Sequence, residues 1–343
     1  MRSHRTDAAT RDGSPAVHGG GHDMIIISAK EDDPHVVAVT RALRSHHDHD
    51  PFVFDTSTFP AAVSLASTLE GSGDRHLLTT PDGRHISLHE ATSFWWRRPQ
   101  PMAVHPEITD PEARQFTYQE CASALYGALG CCDALWVNDI QRDVAAEYKP
   151  RQLKVAAELG LSIPKTLITN EPPRVLEFWR EHEGKVIFKA FNQRGLVFSA
   201  TRMLTEQSLA MLENVRHAPV IFQAFVPGIR DIRVTVVGPS LFATEFDLEQ
   251  SESVDYRVEM TRLPCRPHEL PAEVADGVRR MMERFGLEYG GIDFRLTPDG
   301  EYVFFEINTA GEFIYIQDRT GQPIAEAMAA HLAGGRSAVT RST

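Results

Sequence analysis

Cysteine is scarce in this chain, and what there is forms no C-x-x-C pair: the four are Cys121, Cys131, Cys132 and Cys265. Reduced thiols in a cytoplasmic protein are the expectation. Adjacent Cys131 and Cys132 read as two small buried residues ending a helix, with a redox pair as the alternative. Long apolar runs are missing as well. None approaches the roughly 18 residues that a membrane span needs. Positive charge is short, with 35 Lys and Arg against 47 Asp and Glu and a net charge of −12. That balance argues against generic nucleic-acid or membrane-surface partners and leaves room for a local basic cleft. No G-x-G-x-x-G occurs, so a dinucleotide site is not supported. Met1 to Asp23 lacks an apolar signal core and reads as a disordered leader rather than a secretion signal.

What remains is an ordinary globular composition, 42% hydrophobic and 24% charged, and 343 residues suffice for two or three domains. Met24 to Ser28 reads as a short buried strand, followed by a helix from about Pro34 to Arg44. Further strands are expected at Phe52 to Phe54, His76 to Leu78 and Ser93 to Arg97. Their alternation with helices suggests a parallel-sheet domain. Within it, Ser45 to Asp50 carries three histidines and two aspartates, but the spacing is too compressed for a defined tetrahedral site and suits a solvated turn. Trp95-Trp96-Arg97-Arg98-Pro99 fits either strand packing with a charged exit or a substrate-facing role. A helix is expected from Pro111 to Gly130, then a strand at Ala134 to Asn138 and a boundary near Asp139.

From Tyr148 the character changes. Lys149-Pro150 opens a helix closed by Gly160, Ile163 to Leu167 enters a strand, and Pro172 to His182 is helical. Lys189 lies inside the apolar strand Lys185 to Ala190, where it either snorkels to an edge or holds an anion. The polar turn Phe191 to Leu196 follows as a candidate flap. Val220 to Val226 is a buried strand. Asp231 and Arg233 share a face of the next one, as a cross-strand salt-bridge face or as part of a site. Leu241 to Phe246 is a further strand. Val274, Val278, Met281, Met282 and Phe285 repeat at helical spacing and read as core.

The most telling stretch is Tyr289 to Arg295 followed by Glu301 to Asn308, two strands around Pro298-Asp299-Gly300. Asp293 sits among apolar neighbours, and Glu306 and Asn308 leave one face of the second strand. An edge hairpin with solvated acids is one reading. The other is a magnesium site, because two carboxylates and an amide are the oxygen donors this ion takes when shared with phosphates. Nearly continuous apolar flanks favour the second, since a buried carboxylate needs a partner.

A lysine at a helix start, a lysine on a strand, a polar flap, Q-A-F-V, D-I-R, D-Y-R, G-I-D-F-R and F-E-I-N together resemble the ATP-grasp superfamily of carboxylate–amine ligases. The tail from Glu306 through Ile324, with the Trp-Trp-Arg-Arg-Pro run, resembles the graspetide (microviridin-type) synthetases that cyclise ribosomal peptides. The resemblance covers residues 24 to 333. It implies an α/β chain in which a pre-ATP-grasp parallel-sheet domain (24–138) precedes an ATP-grasp fold. Two α+β subdomains, 139–226 and 227–335, would enclose ATP there, between a leader (1–23) and a disordered tail (336–343). It further implies that Lys149 and Lys189 contact phosphates and that Gln223, Ala224 and Val226 line the adenine hinge. Asp231 would sit near the nucleotide, and Arg257, with Arg233 as the weaker candidate, near the transferred phosphoryl. Asp293, Glu306 and Asn308 would hold two Mg2+ ions. Ala224 stands where relatives often carry Glu, the flap is poor in glycine, and Thr309-Ala310 replaces a commoner proline-containing step.

The chemistry implied is activation of a carboxylate as an acyl phosphate, followed by attack of an alcohol or amine. Such transfer needs charge neutralisation and positioning more than covalent help. No Ser-His-Asp or Cys-His arrangement stands out, and no general base is identified. The implied partner is a precursor peptide with a leader and an acidic, Ser/Thr- or Lys-containing core, and a homodimer is compatible. A small-molecule amino-acid ligase on the same fold and a non-catalytic ATP-grasp-like binding protein are the alternatives.

Overall fold

The computed structural model describes residues 24–191, 200–249, 251 and 253–335. The expected leader, most of the expected flap, Glu252 and the expected tail lie outside them. The first layer opens with β1 (Met24–Ser28), α1 (Pro34–His47) and β2 (Phe52–Phe54). A meander of β3 (Ser64–Glu70), β4 (Gly73–Thr79) and β5 (His85–Ser87) follows, then β6 (Ala91–Trp96), α2 (Pro111–Gly130) and β7 (Leu135–Val137). Strands β2-β1-β6-β7 form an all-parallel sheet. The His76 to Leu78 strand, expected in that sheet, instead lies in the separate antiparallel sheet β3-β4-β5. An apolar run of three residues carries no sign of which neighbour it will pair with. The histidine-rich turn is the end of α1, with Asp48 as a left-handed C-cap at φ 55° and Arg44 paired with Asp50.

The second layer contains α3 (Ile140–Ala146), α4 (Lys149–Glu158), β8 (Thr166–Thr169), α5 (Pro172–Glu181), β9 (Val186–Lys189), β10 (Arg202–Met203), α6 (Glu206–Leu209) and β11 (Val220–Ala224). Its antiparallel sheet runs β10-β9-β11-β8. The expected strand at Ile163 begins three residues later, because Pro164 cannot donate to a ladder.

The third layer is a five-stranded antiparallel sheet ordered β14-β13-β12-β15-β16. It is built from β12 (Arg230–Val237), β13 (Ser240–Asp247), β14 (Cys265–Pro267), β15 (Tyr289–Leu296) and β16 (Tyr302–Asn308), with α7 (Ala272–Phe285) between β14 and β15. Helices α8 (Ile314–Thr320) and α9 (Ile324–Gly334) close the described chain. Val278, Met281, Met282 and Phe285 of α7 are buried as their spacing predicts, against Ile292, Phe294, Phe304 and Ile307 of the sheet and Leu153 and Ala156 of α4. The opposite side of the molecule is equally continuous. Ile25, Ile27 and Trp95 of the parallel sheet share one core with Val237, Phe246, Phe313 and Met328. The first layer therefore packs on the face of the five-stranded sheet that carries Asp293 and Arg233, the second layer faces that same side across a cleft, and α7 and α4 cover the other face.

Candidate active site

A cleft lies between the second and third layers. Lys189, Gln223, Ala224, Val226, Asp231, Arg257, Asp293 and Glu306, all singled out from the sequence, line it together. Strand β15 places Asp293 opposite Glu306 of β16. Beside that pair the register slips: Phe294 opposes Phe304, so Phe305 is the extra residue of a β-bulge. A bulge re-aims side chains, and here Phe305 and Glu306, consecutive in sequence, both reach the cavity. Lys189 and Arg295 lie over the Phe305 ring at 5.9 Å and 5.7 Å.

Glu306 is the electrostatic centre. Lys149 Nζ meets its Oε2 at 2.8 Å, and Arg257 Nη1 donates to its Oε1 at 3.2 Å. Burial would raise the carboxyl's pKa, but Lys149, Arg257 and Lys189 outweigh it and hold the group well below the usual carboxylate range. Lys189 is pulled down from its ordinary value by its own burial, with Glu306 only partly restoring it and Lys149 and Arg257 adding repulsion. Its Nζ is an inward-facing ammonium rather than one snorkelling to an edge.

Helix α4 aims Lys149 by a device that the sequence reading missed. Gln152, one turn along, is fully buried. Its Nε2 donates to the Ile307 carbonyl at 2.9 Å, while its Oε1 accepts from Ile307 N at 3.0 Å. The side chain thus mimics a strand partner for the free edge of β16 and clamps the helix N-terminus beside Glu306.

Arg257 is fixed by Asp255 through two bonds, Nε to Oδ1 at 2.8 Å and Nη2 to Oδ2 at 2.7 Å. Burial works against its charge, but Asp255 and Glu306 raise its pKa. Asp255 also accepts from Thr201 N at 3.0 Å, tying β10's approach to the site. Arg233 is not in this cavity. It is buried behind Asp293, donating to Oδ2 at 2.7 Å, while Tyr256 Oη donates to Oδ1 at 3.1 Å. The guanidinium occupies space that only glycine leaves: a Cβ at Gly291 would come within 2.5 Å of it.

Asp231 lines the cleft but is engaged by Arg295, whose Nη2 donates to its Oδ2 at 3.2 Å and whose Nη1 donates to the Val226 carbonyl at 3.1 Å. Burial pushes the Asp231 carboxyl up to about 6 against the pull of Arg295. Gln223 Nε2 donates to Thr166 Oγ1 at 3.0 Å, holding β11 to β8. Gln152, Asp255, Tyr256 and Arg295 are thus site residues that no role was read for. Asp255, Tyr256 and Arg295 stand inside the quoted D-Y-R and G-I-D-F-R runs, which was their only signal.

Arg233, Tyr256, Arg257 and Asn308 open onto a second cavity, walled by Trp96, Arg98, Glu147 and Glu312 among others. Arg257 and Tyr256 border both spaces. Asn308 Oδ1 accepts from Ala310 N at 3.2 Å. The donors Asp293, Glu306 and Asn308 are hard oxygens on adjoining strands, and both carboxylates face ammonium, guanidinium or hydroxyl donors. That set fits Mg2+ shared with phosphate oxygens and is unsuited to softer ions.

A two-layer cleft of this kind, with a carboxylate pair on one sheet and a strand lysine on the other, is the arrangement that the resemblance to ATP-grasp ligases implies. Residues 23–144 match the family model described as the MvdD pre-ATP grasp domain. No curated protein matches the chain. Among solved structures, the macrocyclase MdnC from Microcystis aeruginosa MRC, bound with precursor peptide MdnA, is 29% identical with a TM-score of 0.79. The alignment covers 90% of this chain and 98% of that one. A RiPP-associated ATP-grasp ligase from Chryseobacterium gregarium, in complex with ADP and a leader and core peptide, is 26% identical over 91% of this chain and 96% of its own, with a TM-score of 0.81. The ATP-grasp ligase PsnB, complexed with minimal precursor, Mg and ADP, is 25% identical over 92% and 99%, with a TM-score of 0.72. The chain is an ATP-dependent ligase with an α/β pre-ATP-grasp domain and an ATP-grasp fold, and it is similar to RiPP macrocyclases.

Proposed function

We propose that the protein macrocyclises a ribosomal precursor peptide, activating an acidic side chain as an acyl phosphate for attack by a side-chain alcohol or amine. The observation that carries this reading is Glu306 at the floor of the cleft, contacted by Lys149 and Arg257, with the second cavity opening beyond Arg257. Gln223, Ala224 and Val226 are assigned to the adenine hinge, and Asp231 with Arg295 to the support beneath it. Lys149 and Lys189 are assigned to phosphates. Arg257, held by Asp255 at the junction of the two cavities, is assigned to the transferred phosphoryl. Arg233 acts through Asp293, orienting that carboxylate rather than touching the phosphoryl. Asp293, Glu306 and Asn308 would hold Mg2+, which supplies charge neutralisation on the nucleotide's terminal phosphates.

The carboxylate oxygen bonds to the γ-phosphorus and ADP leaves; the nucleophile then bonds to the carbonyl carbon and inorganic phosphate leaves. A flexible peptide must present two groups in turn, so a separate anchoring leader is expected. Leu241 to Arg257 and α7 are the proposed anchoring surface. The test is mass spectrometry of precursor incubated with enzyme, Mg2+ and ATP. Each ring should remove one water, about 18 Da, and leader deletion should lower cyclisation more than Mg-ATP binding. Efficient joining of free amino acids, with no acidic peptide ever losing water, would replace the cyclase with a small-molecule ligase.

A further inference from the structure

The meander β3-β4-β5 stands apart from the catalytic cleft and carries a side-chain cluster that the ligase chemistry does not use. Asp74 and His76 are two apart on β4 and leave one face of it, and His89 follows β5 in a short 3-10 turn. One ligand atom from each lies within 4.8 Å of the others. Both imidazoles turn the same nitrogen toward one carboxylate oxygen: His76 Nε2 is 2.9 Å and His89 Nε2 is 3.5 Å from Asp74 Oδ2. The two rings are 5.2 Å apart, tilted by 30°.

His76 is 2% exposed. Its Nδ1 is 2.8 Å from Ser67 Oγ on β3. A hydrogen bond to one ring nitrogen fixes the orientation of the other, which is how ligating histidines are supported in metal sites.

We propose that Asp74, His76 and His89 form a binding site for a divalent metal ion of the zinc class, with solvent completing the coordination. Two imidazoles and one carboxylate are borderline nitrogen and hard oxygen donors. They suit Zn2+ and not the Mg2+ of the cleft, which takes oxygen. The open position faces water, because Asp74 and His89 keep side-chain exposures of 38% and 30%.

The surroundings say what such an ion would do. Six of the seven residues of β3 are exposed, Leu69 by 72%, so little apolar burial holds that strand to β4. An ion bridging β4 to the turn after β5, with Ser67 of β3 bonded to one ligand, clips all three strands where the core does not. Metal binding is then folding energy for the meander.

The test uses the full chain, stripped with chelator and titrated calorimetrically with Zn2+ in millimolar Mg2+ without nucleotide. One tight equivalent is expected, weakened at least ~10-fold in Asp74→Asn and in His89→Ala. It should be retained when His46, His47 and His49 are all changed to Ala. His89 is exposed, so its variant should melt like the wild type in the absence of Zn2+. Zn2+ should also slow trypsin cleavage at exposed Arg75 and Arg84 in the wild type but not in His89→Ala. No tight equivalent, an equivalent untouched by both ligand substitutions, or cleavage indifferent to Zn2+ would each overturn the proposal.

Discussion

At the scale of single residues, the site works by crowding cations around one buried carboxylate. Glu306 has Lys149 at 2.8 Å and Arg257 at 3.2 Å, and its charge is what lets those cations stay in a cleft that must also receive phosphates. Glu306→Gln and Asn308→Ala should each fold and lose at least ~10²-fold in turnover, the scale of one pre-organised electrostatic contact. Near-normal ATP consumption in both would remove the metal assignment. Lys189→Ala should weaken ATP binding at least ~10-fold, since a charge-assisted contact contributes roughly 1.5–3 kcal/mol. Calorimetry with unchanged affinity, together with unchanged kinetics, would reduce Lys189 to a core residue. The sequence exposed Lys189, Asp293 and Glu306 because each interrupts an apolar run. It could not expose Gln152, whose value lies in meeting the edge of β16, 155 residues away.

At the scale of elements, the loop following β16 is held by the first layer. Arg97, buried at the end of β6, donates from Nη1 to the carbonyls of Ala310 at 2.6 Å and Gly311 at 3.1 Å. The Trp-Trp-Arg-Arg run thus combines strand packing with a clamp, and Trp96, Arg97 and Arg98 also wall the second cavity. The run's exposed member, Arg98, pairs with Glu312 at 2.9 Å. His35 of α1 completes the joint, its Nε2 accepting from Phe313 N at 3.0 Å and its Nδ1 lying 2.9 Å from Asp33.

Burial lowers the His35 pKa below 6.5, with Asp33 opposing. A base whose pKa falls on folding favours the folded state when neutral, so this contribution is full above 6.5 and lost as pH drops below it. Melting temperature should fall between about pH 7 and about pH 5, and fall less in His35→Gln, which keeps an acceptor without a titrating ring. Parallel pH profiles for the two proteins would contradict the joint. Helices and the main strands were legible from apolar period and caps. The bulge at Phe305 was not, because alternation read from the sequence assumes an unbroken pleat.

At the scale of the whole molecule, α7 and α4 cover the back of the five-stranded sheet while the first and second layers flank its front, so the strand that carries Glu306 is packed from behind and open in front. Such an arrangement suits a reaction whose two steps use one carboxylate in two neighbouring spaces, with Arg257 at their junction. In activation by the γ-phosphoryl the carboxylate oxygen passes to phosphate. Precursor labelled with 18O in its acidic side chains tests it directly. Inorganic phosphate released during cyclisation should carry one 18O for each ring closed, with one ADP formed alongside it. Phosphate free of label, or label appearing in AMP, would contradict activation by the γ-phosphoryl and the site built around Glu306.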